Sequence, residues 1–161
     1  TFDNLDTLYS SVYKHLEIRM VGRSTRTGAD QDSFQMTLNE DNGANYTRQD
    51  VGTDGASGYV RSRANESRMY LGQTSASNSE SNSFGATIAQ IIDPFSPNKN
   101  TTILGFNGSH APGTGGGPGT YVYIVGGMQM SVNVLSSIQI YCGSNAFVAG
   151  SRFSIYGITE A

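Results

Sequence analysis

The stretch His15-Leu-Glu-Ile-Arg-Met20 carries an apolar residue at every second position, namely Leu16, Ile18 and Met20. Successive side chains of a β-strand point to opposite faces, so a period of two predicts a strand with one buried face. The other face, which includes Glu17, meets solvent or a neighbouring molecule. This stretch is the clearest local indication that the chain has a β fold.

The same period recurs at Phe34, Met36 and Leu38, after a polar segment from residue 25 to residue 32. Two alternating runs separated by a turn-like segment are typical of a β-hairpin. We therefore expect the first two strands to pair with each other.

Further strands follow in the second half of the chain. Apolar residues lie on both parities between residues 84 and 92, which predicts a strand covered on both faces for part of its length. Thr102, Leu104 and Phe106 form another alternating strand. The pair Gly126-Gly127 predicts a bulge or bend within the next one.

Composition agrees with a β fold in a single domain. The chain has 161 residues, of which only 14% are charged, whereas soluble domains average about 25%. Asn, Ser, Thr and 20 glycines replace the missing charged residues. We predict an all-β antiparallel β-sandwich, in the form of a jelly roll, over residues 14–161. Residues 1–13 are predicted to form an N-terminal arm or short helix with Asp3 or Asn4 as its cap.

Charge and cysteine content exclude several classes of protein. The net charge is −3 and Lys and Arg form no run, so we expect no nucleic-acid partner. No segment has the length and apolarity of a membrane span, so we expect no membrane insertion. A single cysteine, Cys142, cannot form an internal disulfide and is predicted to be a buried, inert thiol.

Catalytic groups are scarce. His15 and His110 are the two histidines, and neither has acidic or cysteine neighbours at metal-ligand spacing. The acidic pairs of the loops lack the spacing of an EF-hand: Asp30 with Asp32, and Glu40 with Asp41. No carboxylate pair stands out as that of a glycan-cleaving enzyme. The glycine-rich segment 108–119 predicts a surface loop. We expect no metal, no cofactor and no enzymatic activity.

Tyrosines beside loops offer a possible ligand site. Tyr46, Tyr59, Tyr70 and Tyr121 could stack on the faces of sugars, or they could serve ordinary packing within the sheets. The first interpretation makes the protein a carbohydrate-binding module of an adhesin or receptor-binding protein. The second leaves the tyrosines without a ligand.

Two segments resemble structural proteins of tailed bacteriophages. Residues 138–141 and 143–158 are similar to the closing hairpin of a β-sandwich module that recurs in phage particles. Residues 13–19 and 39–46 resemble other parts of such modules. Related modules carry an Asn-Gly-Asp turn before Asn-Tyr, where this chain has Asn39-Glu40-Asp41.

The resemblance implies a protein of the virion surface that is assembled in the host cytoplasm. It implies a capsid decoration, a head fibre, or the knob of a tail fibre or tail tip. The expected partners are further copies of the chain in a homotrimer, other virion proteins and a host-surface glycan used in host attachment. Arg152 and Tyr156, on the polar face of the closing strand, are candidate interface residues.

Overall fold

The computed structural model describes residues 1–53, 57–110, 119–143 and 145–160. Within these residues it has one short helix and ten β-strands. The predicted glycine-rich loop lies mostly outside the described residues. The elements are α1 (Leu5–Tyr9), β1 (His15–Gly22), β2 (Gln31–Leu38), β3 (Tyr46–Thr53), β4 (Gly58–Glu66), β5 (Met69–Ser75), β6 (Gly85–Ile92), β7 (Thr101–His110), β8 (Thr120–Gln129), β9 (Ile138–Cys142) and β10 (Arg152–Ile158).

The strands form two antiparallel sheets that pack face to face. A seven-stranded sheet has the order β10-β1-β6-β7-β8-β3-β4, and a three-stranded sheet has the order β5-β2-β9. The predicted all-β sandwich is confirmed. The jelly roll is not confirmed, because that form divides eight strands between two sheets, whereas here seven strands face three.

The core lies between the two sheets, where the alternating runs meet. Leu16, Ile18 and Met20 are at most 1% exposed, as the period of two predicts. Phe34 and Met36 of β2 are completely buried on the opposite side of the core. Alternation thus correctly identifies the inner faces of both strands.

The predicted pairing of the first two strands is wrong. β1 pairs with β6 and β10 in the large sheet, while β2 pairs with β5 and β9 in the small one. The closing segment likewise forms no hairpin, since β9 and β10 belong to different sheets. The physical reason is that a strand buries its apolar face beside any neighbour whose sheet faces the core, so alternation identifies the buried face of a strand but not its partner.

The predicted bulge at Gly126-Gly127 is also wrong. β8 keeps an unbroken register with β7 and with β3 through both glycines. A Cβ atom on Gly127 would lie 2.6 Å from Cε of Met69 and within contact distance of the Thr47 carbonyl. This glycine therefore serves the close approach of the two sheets.

The N-terminal segment contains a short helix, as predicted, and it docks on its own chain. The backbone of Phe2 exchanges two hydrogen bonds of 2.9 Å with Ile138, and Leu5 is 1% exposed. Asn4 occupies the N-cap position with φ 57°, but its side chain makes no capping hydrogen bond. The expected side-chain cap is therefore wrong.

The serine-rich segment after β5 is anchored by one arginine. The guanidinium group of Arg23 donates hydrogen bonds to the carbonyls of Ser77, Ser79, Glu80 and Ser83, at 2.6 to 3.4 Å. Many peptide carbonyls thus converge on a single planar donor group. The segment lies on the surface but is held in place.

Replacement of Glu40 by glycine is expected to stabilise the protein. Asn39 and Glu40 follow each other in the left-handed region, with φ 53° and 57°, where a Cβ atom is unfavourable. Relief of this strain, less the added flexibility of glycine, should raise the free energy of unfolding by about 0.5–1 kcal/mol in urea titrations. Glu40→Ala keeps the Cβ atom and should not raise the free energy of unfolding. If Glu40→Ala stabilised the protein as much as Glu40→Gly does, the cause would be the loss of the carboxylate and not the relief of strain.

Candidate functional site

The large sheet has an outer face, formed by the side chains that point away from the small sheet. Across its central strands, one row of residues in direct cross-strand register is entirely apolar. The row consists of Ile88, Phe106, Ile124, Val51 and Val60. Their exposed fractions range from 44% for Ile88 to 71% for Val60.

Three further apolar side chains border this row on the same face. Val21, Leu104 and Val122 are each about half exposed, at 45%, 45% and 51%. The apolar band is defined here as these three residues together with the row of five. The outer face of a sandwich is normally polar, because alternation along each strand places polar residues there. An apolar outer face therefore requires an explanation outside the packing of the core.

The band is a large apolar patch, although it is smaller than one full side of a typical protein interface. Five strands at about 4.8 Å spacing and three rows of side chains give roughly 24 Å by 20 Å. Complete burial of eight half-exposed side chains would contribute roughly 6–12 kcal/mol. Association itself costs about 4–15 kcal/mol, so burial of the band roughly offsets the cost of association.

Phe106 stands between two hollows on this face. One, of about 590 Å³, is lined by Val51, Ile124 and Gly126 among others. The other, of about 370 Å³, is lined by Phe106 itself together with Gly108. The Phe106 side chain is 61% exposed, and its cross-strand neighbour Ile124 lines both hollows.

The predicted interface residues lie on the same outer face. In the register with β1, Arg152 pairs with Val21 and Tyr156 pairs with Glu17. Arg152 and Tyr156 are both exposed, and the guanidinium carbon of Arg19 lies 4.8 Å from the centroid of the Tyr156 ring. The structure therefore places both at the β10 end of the outer face, and their role in an interface stays a prediction.

Tyr46, predicted as a ligand-binding residue, is a core residue instead. It is 0% exposed, and its hydroxyl accepts a hydrogen bond from the backbone N–H of Leu38 at 2.9 Å. The same hydroxyl donates to the carbonyl oxygen of Asp41 at 3.1 Å. Burial raises the pKa of Tyr46 to about 12. A sugar cannot stack on a ring enclosed in this way.

The other three predicted tyrosines surround Tyr123 on the inner side of the large sheet. The ring centroid of Tyr123 lies 5.7 Å from that of Tyr59, 5.9 Å from Tyr70 and 6.4 Å from Tyr121. Tyr70 is only 7% exposed, so its assignment to a ligand site is wrong for the same reason as that of Tyr46. Tyr59 and Tyr121 are half-buried, and a sugar-binding role for them stays a prediction.

A buried carboxylate organises the strands beside this tyrosine cluster. Asp50 is 0% exposed; its Oδ2 accepts a hydrogen bond from Nε of Arg61 at 3.0 Å, and its Oδ1 lies 3.1 Å from Nη1 of Arg48. The guanidinium of Arg48 stacks on Tyr70 at 4.2 Å, and that of Arg61 stacks on Tyr59 at 4.4 Å. This ion cluster closes the end of the sandwich where the small sheet no longer covers the large one.

The residues considered for chemistry have structural contacts. Nδ1 of His15 accepts a hydrogen bond from the backbone N–H of Asp93 at 3.0 Å, and His110 is an exposed residue beside Thr120. Cys142 is buried, as predicted, and burial raises its pKa to about 12. In the described ranges, no group of three or more His, Cys, Asp or Glu residues is arranged to hold a metal ion.

Asp41 ties its own turn to the end of β8 and the residues that follow it. Its carboxylate accepts hydrogen bonds from Gly43, Asn45, Gln129 and Ser131, at 2.9 to 3.2 Å. Burial alone would raise its pKa, but the hydrogen bonds outweigh burial and hold the pKa below the ordinary value of 3.8. The turn is therefore held by hydrogen bonds within the chain. Both carboxylate oxygens of Asp41 accept hydrogen bonds from these donors.

Asp41→Asn is expected to lower the free energy of unfolding by about 2 kcal/mol at pH 7. Because the pKa is lower in the folded protein, the ionised carboxylate stabilises the fold above about pH 4, and the stabilisation fades as the pH falls through the folded-state value. The difference from wild type in urea titrations should shrink below pH 4. Asp3→Asn, at the exposed N-terminus, is the control; a pH-independent difference would contradict the account.

The apolar band itself was not predicted from the sequence, although a signal for it exists. Three neighbouring strands carry adjacent apolar residues, one on each face: Ile88-Ala89, Ile103-Leu104 and Ile124-Val125. Leu104 and Phe106, which alternation placed on one face of β7, point outward, while Ile103 is buried. Adjacent apolar pairs repeated over paired strands indicate a sheet that is covered on both sides.

None of the helices in the described residues is long and apolar enough to cross a lipid bilayer. Comparison of the chain with protein-family models, with curated proteins and with solved structures finds no match.

Proposed function

We propose that the protein is a structural component of a bacteriophage virion, which works by binding other proteins through its outer face. The observation that carries the proposal is the apolar band, a large apolar surface on an otherwise well-packed sheet. Such a role needs large subunit interfaces and no catalytic group.

The assignment to a phage particle is supported by the two resembling segments. Residues 39–46 form the turn that Asp41 and Tyr46 hold together, and residues 152–158 form the edge strand of the large sheet. β9 and β10 lie in different sheets and do not form the closing hairpin of the resembling modules, so the support comes from the sequence of these segments alone. On this proposal the chain is a homotrimer on the virion surface, as a capsid decoration, a head fibre or a knob at the tail tip.

The experiment is to look for the protein in purified particles of the phage that encodes it. We expect peptides of the chain in gradient-purified particles, at a stoichiometry that is a multiple of three. Gold-labelled antibodies on intact particles distinguish the capsid from the tail. Presence in infected cells together with absence from washed particles would refute the proposal.

A further inference from the structure

Two glycines on the outer face have no explanation in their contacts with the described residues. Among those residues, a Cβ atom on Gly108 would meet nothing within 4 Å, and one on Gly126 would meet Cδ2 of Leu104 at an ordinary 3.7 Å. Gly127, by contrast, is required by the packing of Met69. A glycine inside a strand weakens the strand and often marks the place where another molecule approaches closely.

These two glycines flank the projecting ring of the apolar band. Gly108 follows Phe106 by two positions on the same strand, and Gly126 pairs with Leu104 on the next strand. Each glycine lines one of the two hollows beside Phe106. The ring and the hollows therefore belong to one continuous surface.

We propose that the occupant of the apolar band is a second copy of this chain, with the Phe106 ring of one copy seated in the hollow beside Gly126 of the other. This inference deepens the proposed function, on which it rests, because it names the surface and the residues through which the copies meet. A surface that carries both a projection and a matching hollow can bind its own copy, and a ring of copies closes when each projection enters the neighbour's hollow.

The charge distribution favours a copy over a partner of different charge. The central three rows of side chains on β6, β7, β8, β3 and β4 contain no Asp, Glu, Lys or Arg among the described residues. Two such faces meet without placing like charges together, which is a common obstacle to self-association. Arg48 and Arg63 line the hollow beside Gly126 but lie outside these rows, and a guanidinium group there can face the Phe106 ring of the other copy.

The area of the band is somewhat more than half of one side of a stable interface. The band and its three rows cover roughly 480 Å² in projection, and a stable interface buries about 800 Å² on each side. Arg152 and Tyr156, exposed at the end of the same face, extend the surface toward that value. The contact between copies therefore includes the surface around the band as well as the band itself.

The test is a dilution series by analytical ultracentrifugation on the full chain and four variants. Phe106→Ser removes the ring, and Gly108→Val and Gly126→Val fill the hollows where the chain itself has room. Val132→Ser changes an apolar residue that is 49% exposed and lies outside the sheet. We expect each of the first three to raise the dissociation constant about tenfold or more, and Val132→Ser to leave it unchanged.

Folding is measured in parallel, because a loss of assembly must not reflect a loss of fold. Valine is favoured in strands, so both glycine variants should unfold at the same or higher urea concentration than wild type. Wild-type assembly that all three variants retain would overturn the inference, and so would a chain that stays monomeric at about 100 μM. If variants that still assemble also remain in purified particles, the inference fails and the proposed function stands.

Discussion

Lysine in place of Ile124 is expected to weaken self-association by about a hundredfold or more. Ile124 lies in the middle of the apolar band, between Phe106 and Val51 in the cross-strand register. A lysine there would bring an ammonium group without a partner into the interface, at a cost of about 3 kcal/mol or more. Each 1.4 kcal/mol is a factor of about ten in the dissociation constant.

The same substitution should leave the fold of the single chain almost unchanged. Ile124 is 54% exposed, so a lysine side chain reaches solvent in the monomer. Sedimentation velocity gives the assembly, and urea unfolding of the dissociated chain gives the stability. Val132→Lys is the matched control outside the sheet. Assembly of Ile124→Lys at wild-type concentrations would show that the band is not the interface.

Alanine in place of Asp50 is expected to lower the free energy of unfolding by about 3 kcal/mol. The loss arises because the two guanidinium groups of Arg48 and Arg61 would remain near the tyrosine cluster without their counter-ion. Arg48 is the larger contributor, since its side chain is 11% exposed whereas that of Arg61 is 40% exposed and can turn to solvent. Urea titration followed by circular dichroism measures the change.

A compensated variant separates charge from packing. Asp50→Leu combined with Arg48→Met and Arg61→Leu removes the whole cluster, and we expect it to recover most of the lost stability. If Asp50→Ala lowered the free energy of unfolding by less than about 1 kcal/mol, the result would contradict a stabilising role for the carboxylate. Because β3 and β4 carry Val51 and Val60, loss of order at this end should also weaken the interface.

The ion cluster follows from the unequal widths of the two sheets. β5 of the small sheet packs mainly over β6, β7 and β8, and β4 lies beyond it at the edge of the large sheet. The small sheet does not cover this edge. Long arginine side chains that stack on tyrosine rings cover it instead. The apolar band extends to this edge, with Val60 as its last member.

Local structure could be predicted well from the sequence. The period of two identified the buried faces of β1, β2 and β10, because alternation depends only on the side-chain geometry of a strand. The short N-terminal helix followed from its spacing in the same way. Strand pairing could not be predicted, because β1 and β2 are neighbours in sequence but join sheets whose other strands come from distant segments.

The candidate site could not be predicted from the sequence for a different reason. Residues 84–92 were correctly seen to be apolar on both parities, but the pattern does not say which molecule provides the cover. In the single chain Ile91 is buried while Ile88 is 44% exposed. The tyrosines failed for a related reason, since the positions of Tyr46 and Tyr70 near turns suggested exposure, whereas their rings point into the core.

The central claim is that the apolar band joins copies of this chain, and the native mass in solution tests it most directly. Light scattering at about 5 μM should give three times the 17.2 kDa mass of the chain, as expected for an interface with a dissociation constant below that concentration. A mass of one chain, unchanged up to about 100 μM, would contradict the account.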